Sequence, residues 1–161
     1  MDADYAHKSR WRIAEVVFGA PFLVSLVLHF VVPSALPRDI FSVILLPTGI
    51  VLIGAGLSLI VLARRALAKF RQPTDPGHPT TRVVRTGVFA ISRNPLYLGS
   101  VLVLLGTALA LNLLWALVTL PLSIVLCHTI LIGPEERYLA AKFGAEYTEY
   151  AASVRRWLGR K

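Results

Sequence analysis

The chain has 161 residues, 55% of them hydrophobic, with a mean hydropathy of +0.64; its apolar runs are too long for a soluble core and mark a one-domain integral membrane protein. A net charge of +8 and a pI near 10.3 would suit nucleic acid in a soluble protein, but here the cations alternate with apolar runs, so they set topology and attract anionic headgroups instead. One cysteine, Cys127, excludes a disulfide framework within the chain.

The first predicted span is about 13–32. Lys8, Arg10 and Arg12 precede it in the manner of a secretory signal, but no small-x-small cleavage site follows, so it is read as a retained span. Pro21 is expected to kink it, and Glu15 reaches the interface from its end. Pro33 and Pro37 mark a short loop. The second span, about 40–63, ends at Arg64-Arg65. Residues 64–95 form the one long connection, rich in proline, threonine and basic residues and too short to fold alone.

Residues 96–132 then carry no charged side chain. A hydrocarbon core of about 30 Å needs only about 20 helical residues, so this run is predicted to double back near Asn112 as two spans, about 96–112 and 113–132. A hairpin returns the chain to the side it left. Arg93-Asn94-Pro95 before it and Glu135-Glu136-Arg137 after it should therefore meet at one membrane surface. The remainder, 134–158, is predicted as an amphipathic helix starting at Pro134. Leu139, Phe143, Tyr147, Tyr150, Val154 and Trp157 share one face, with Lys142, Arg155 and Arg156 around it.

All 17 Lys and Arg except Arg38 lie in residues 8–12, 64–93 and 137–161, alternate connections of a four-span chain. The positive-inside rule then places both termini and the 64–95 loop in the cytoplasm. The compact length and the absence of targeting signals suggest the cytoplasmic membrane of a prokaryote. The expected architecture is all-α: four transmembrane helices and a C-terminal amphipathic helix in a single domain, 1–161.

Several residues carry chemistry on two readings. Asn94-Pro95 breaks the helical approach to the third span; broken backbone at membrane depth lines a polar cavity or is buried in protein. Arg93, Asn94 and Tyr97 decorate that break, or else Arg93 and Tyr97 are interfacial anchors at an ordinary span boundary. Glu135 and Glu136 are either charges suited to a helix N-terminus or carboxylates awaiting a cationic ligand. Gly54-Ala55-Gly56 either lets helices pack closely or makes room for a cofactor. His128 is a hydrogen-bonded structural histidine or a proton acceptor. No His/Cys/Glu cluster has metal-ligand spacing, so no catalytic metal is expected. No GxGxxG follows a strand, which excludes a soluble-type nucleotide-binding domain.

GVFAISRNPLYLG, followed one hairpin later by PEERYLAAKFGAEYTEYAASVRRWL, resembles the isoprenylcysteine carboxyl methyltransferase family and its phospholipid N-methyltransferase relatives. The resemblance spans about residues 48–158. It implies a membrane-embedded methyltransferase using S-adenosyl-L-methionine in a cytoplasm-facing pocket, closed by the long loop and the C-terminal helix, with a lipophilic acceptor arriving from the bilayer. Carried over residue by residue, it implies cofactor contacts from Thr74, Thr81, Arg82, Val83, Val84 and Phe89. Asn94, Pro95, Leu96, Tyr97 and Glu135 complete the set, with Glu136 adjacent and Arg82 or Arg93 suited to the cofactor's carboxylate. Gly54 and Gly56 match the GxG of the phospholipid branch, and Asn94, Tyr97 and Glu135 are the positioning candidates for catalysis.

Many carboxyl methyltransferases have His-Pro at Asn94-Pro95 and Tyr at Phe89, and the eukaryotic ones have an arginine at Leu131; the Asn-Pro form is more like the phospholipid branch. The expected activity is methyl transfer to a lipophilic or small apolar acceptor, carboxyl O-methylation first, with phospholipid N-methylation or thiol S-methylation as alternatives. Nucleic acid is not an expected partner. The rival outside the enzyme class is a non-catalytic helical membrane protein. A transporter would more typically show charged or broken helices at the midplane in repeated halves.

Overall fold

A computed structural model describes residues 14–72 and 80–161. The described residues are almost wholly helical and form no sheet; the only pairing of extended type is an isolated antiparallel bridge between Val154 and Arg160. In chain order the α-helices are α1 (Ala14–Val31), a single turn α2 (Arg38–Ile40), α3 (Leu46–Lys69), α4 (Pro95–Ala110), α5 (Leu114–Leu126), α6 (Gly133–Phe143) and α7 (Ala145–Ser153). Helix α3 packs along α4, α4 against α5, and α5 against α1.

Among the described residues three helical stretches are long and apolar enough to cross a membrane: Ala14–Val31, Val43–Lys69 and Leu114–Phe143. The expectation of four is corrected here. The third expected span, 96–112, is the 16-residue α4, about 24 Å at about 1.5 Å per residue and short of a full hydrocarbon core. Both of its ends are set locally. Asn94, held at φ −129° and ψ 56° before Pro95, starts it. Asn112, at φ 53°, turns the chain out of it.

Two π-helical turns, Phe41–Leu45 and Cys127–Ile132, each end beside a proline, Pro47 and Pro134. Proline has no N–H to donate and its ring crowds the carbonyl four residues back. The helix widens instead of breaking: the Leu46 N–H reaches the Phe41 carbonyl and the Gly133 N–H the His128 carbonyl, five residues back in each case. Pro134 therefore does not begin a separate helix. The rod from Leu114 runs through it to Phe143. The expected single helix 134–158 is two, α6 and α7, divided at Gly144 with φ 54°, and it ends at Ser153. The second expected span likewise continues past Arg64-Arg65 to Lys69.

Helices α3 and α4 run antiparallel with their backbones nearly touching. A Cβ on Gly49 would fall 2.6 Å from the Gly106 carbonyl oxygen, and one on Gly56 2.7 Å from that of Gly99. Close approach of this kind is how helices associate where lipid is as apolar as the side chains. On the other side of α4, Val17 and Phe18 of α1 bury against Cys127, Leu131 and Ile132, with Tyr97, Val101 and Leu104 around them. Large apolar side chains elsewhere on α1, α3 and α5, such as Phe30, Val51 and Leu122, are exposed, as a lipid-facing surface requires. The molecule is an all-helical integral membrane protein.

Candidate functional site

The α4–α5 hairpin brings Arg93-Asn94-Pro95 and the twin glutamates to one end of the bundle. Tyr97, in the first turn of α4, donates its phenol hydroxyl to Glu135 Oε2 at 3.2 Å. Next to it, Glu136 forms an ion pair with Arg93 Nη2 at 3.1 Å. Arg156 closes on the same carboxylate from the C-terminus, Nε to Oε1 at 3.0 Å and Nη2 to Oε2. Its remaining nitrogen, Nη1, lies 3.0 Å from His128 Nε2. The pairing with Glu136 holds the Arg156 guanidinium above its ordinary range.

The two carboxylates are thus treated differently. Glu136 takes both arginines. Glu135 has the Tyr97 hydroxyl, and among the described residues no cation lies within ion-pair distance of it. It is partly buried between α4 and α6, where an unpaired carboxylate is costly. The Arg93 side chain is only 10% exposed and its Nε is buried without a hydrogen-bond partner. An under-served acid and an under-served donor at one mouth suit a ligand with a cationic and an anionic end.

The break itself is firmly held. Asn94 is buried, its N–H accepted by Ser92 Oγ at 3.1 Å, and its Nδ2 donates to the Arg156 carbonyl at 3.0 Å. Pro95 is fully buried. Pro95 begins α4, Leu96 follows it, and Tyr97 comes next with its hydroxyl on Glu135.

The connection leading in wraps over α7. Val83 is buried against Tyr147, Tyr150 and Val154, with Leu139 and Phe143 alongside, so the apolar face read from the sequence does assemble despite the division at Gly144. Trp157 departs from it and packs instead with Cys127 and Leu131. Val84 is buried too. The Phe89 carbonyl accepts from Tyr150 Oη at 2.7 Å. Thr81 is held by Gln72, which accepts from its N–H at 2.8 Å and donates to its hydroxyl at 2.7 Å. Arg82 stacks on Phe70, its guanidinium carbon 4.6 Å from the ring centre. Burial, with Glu136 next in effect, pushes the Tyr147 phenol up to about 12.

Not every candidate converges. Thr74 lies outside the described residues. Gly56 is occupied by the contact with α4, whereas a Cβ on Gly54 would meet nothing within 4 Å. Arg82 is engaged with Phe70 and Gln72 rather than with Glu135. Sequence reasoning passed over Arg156, which it took for a flanking charge, and gave His128 no partner. No local pattern marks a residue whose partner is 20 positions earlier in the chain.

A family model for phospholipid methyltransferases matches residues 44–146, which contain α3, α4, α5 and both glutamates. An uncharacterized protein of Haemophilus influenzae is 40% identical over 63 residues, 39% of this chain and the whole of that relative. No solved structure matches the chain.

Proposed function

The chain belongs to the phospholipid methyltransferase family, and on that premise we propose that the mouth formed by Tyr97, Glu135, Arg93 and Asn94 binds S-adenosylmethionine and methylates the amine of a lipid headgroup. The family is one of membrane-embedded, S-adenosylmethionine-dependent methyltransferases acting on small or lipophilic substrates; that this chain works in the same way, through these residues and on this acceptor, is what is proposed. The observation that carries the proposal is the partner imbalance at the twin glutamates. Glu135 keeps a carboxylate oriented by one phenol and unmatched by a cation among the described residues.

When bound, S-adenosylmethionine supplies a methyl already activated on a sulfonium. The protein's part is to hold and orient. Glu135 is suited to the cofactor's ammonium or ribose hydroxyls, and Arg93 Nε is a free donor for its carboxylate. Asn94-Pro95 fixes where α4 begins and so where the Tyr97 hydroxyl sits. Tyr147, Tyr150 and Val83 close the loop side with apolar surface and exclude water.

The acceptor follows from the same imbalance. A carboxylate acceptor needs a cation of its own, yet Arg156 is taken by Glu136, Arg93 is shared between Glu136 and the cofactor's carboxylate, and Leu131, where a further arginine would have stood, is wholly buried. The ammonium of an amine would have to give up a proton to water at the mouth before the nitrogen lone pair could take the methyl from sulfur, but an amine makes no such demand for a cation. This favours the phospholipid reading over carboxyl O-methylation, in line with the family match. The basic residues of 80–93 and 137–161 flank the mouth, and that charge excess favours the cytoplasmic side for it.

The test is calorimetry of purified protein in detergent with S-adenosylhomocysteine. Wild type is expected to bind, and Glu135→Ala to lose at least tenfold in affinity; absence of wild-type binding overturns the proposal. Labelled S-adenosylmethionine offered with phosphatidylethanolamine, a prenylcysteine and a thiol should label the first, and labelling of the prenylcysteine instead would return the acceptor to carboxylates.

A further inference from the structure

Beyond α7 the chain folds back in a tight turn. Val154 pairs with Arg160, the Arg155 N–H donates to the Gly159 carbonyl at 2.8 Å, and the Lys161 N–H to that of Ser153 at 3.0 Å. Gly159 closes it at φ 101°, a conformation other residues rarely adopt. The turn is tied to the segment that enters α4. The Gly159 N–H donates to the Ile91 carbonyl at 2.7 Å, and the Arg93 N–H to the Arg155 carbonyl at 3.2 Å. One residue of the turn touches both halves of the mouth: the Arg156 carbonyl accepts from Asn94 Nδ2 at 3.0 Å, while its guanidinium grips both oxygens of Glu136. Trp157 anchors the next position among Val17, Phe18, Cys127 and Leu131.

From this we infer that Arg156 is a positioning residue for the mouth: its fork holds Glu136 away from Glu135, and its carbonyl holds Asn94 at the start of α4. The inference rests on the proposed function above. The physical reason lies in the adjacent carboxylates. Two like charges side by side repel, and each raises the cost of ionising the other. A bidentate guanidinium fixes direction as well as charge, which the ammonium of a lysine does not. With Glu136 gripped from two sides by Arg156 and Arg93, Glu135 is left as the one carboxylate free to receive a ligand. Without Arg156, Glu136 keeps only Arg93, and its charge competes with Glu135 for the same space and the same cation.

The experiment measures the Kd for S-adenosylhomocysteine by calorimetry for the full-length protein, Arg156→Ala, Glu136→Gln and the double variant, with thermal unfolding of each in detergent. Arg156→Ala is expected to weaken binding at least fivefold. Adding Glu136→Gln to it should restore at least threefold, because the competing charge has gone; a turn that served only to hold the fold together would give no such recovery. Arg156→Ala within twofold of wild type, or a double variant that loses the product of the two single losses, overturns the inference. If Arg156→Ala does not fold, Arg156→Lys, which keeps the charge without the fork, is measured with and without Glu136→Gln, and the same two outcomes decide. Wild type that binds nothing defeats the proposed function instead, so the two failures are distinguishable.

Discussion

The two ends of the α4–α5 hairpin are built from different chemistry. At the Asn112 end the side chains of Asn112 and Trp115 are neutral and serve the backbone. The Asn112 side chain accepts from the Leu36 N–H at 2.8 Å and donates to the Leu36 carbonyl at 3.0 Å, and Trp115 Nε1 donates to the Val32 carbonyl at 2.8 Å. At the other end three charged side chains, Arg93, Glu136 and Arg156, interlock while a fourth, Glu135, has a phenol for its partner. The first end is closed upon itself. The second retains polarity that stability alone does not require, since an unpaired, partly buried carboxylate costs free energy. It is on this contrast that the proposed ligand-binding mouth rests.

That contrast can be broken or sharpened by substitution. The largest effect is expected between the two ends, where α3 and α4 touch. Gly106→Val would drive a side chain into the Gly49 carbonyl, 2.6 Å from the new Cβ, and into Ile53 backbone; it should destabilise by about 3 kcal/mol, read as thermal unfolding in detergent. Gly54→Ala, whose Cβ meets open space, should leave stability unchanged or slightly raised. Equal losses at the two positions would show that the glycine contacts do not hold α3 to α4.

Asn112→Ala should cost about 2 kcal/mol by stranding the Leu36 N–H and carbonyl, with no change in S-adenosylhomocysteine affinity. A loss of affinity there would erase the distinction between the two ends. Trp115→Phe, which gives up one hydrogen bond, should cost about 1 kcal/mol, again without touching affinity.

The smallest effect is one of pH at the mouth. An unfolded tyrosine ionises near 10, whereas the folded Tyr147 resists until about 12. The unfolded chain therefore loses its proton first as pH rises, and stability that is complete below about pH 10 declines through that window. Tyr147→Phe should flatten the decline in alkaline unfolding; an unchanged slope would remove Tyr147 from the account.

Some of this was legible beforehand. Residues 96–132 are uncharged and too long for one crossing, so a hairpin with polar groups gathered at one end followed from bilayer thickness alone. The apolar face of Leu139, Phe143, Tyr147 and Tyr150 was legible from helical spacing and does assemble. What misled was proline. Pro134 reads locally as the start of a helix, but a π turn absorbs it and the rod continues. Gly54 and Gly56 looked like one motif. Two residues apart on a helix, they point in different directions, and only Gly56 meets α4.

By its residues alone the chain determined that it is helical, that it lives in a membrane, and that a proline break and two glutamates share a surface; hydropathy and helical rise are local quantities that a sequence carries in full. Only the tertiary structure decided which glutamate is neutralised. That choice depends on Arg156, which reaches Glu136 across 20 positions of chain because the turn after α7 folds back on Ile91 and Arg93. Ion pairing depends on distance in space, and the spacing of residues along a chain does not contain that distance until the helices have packed.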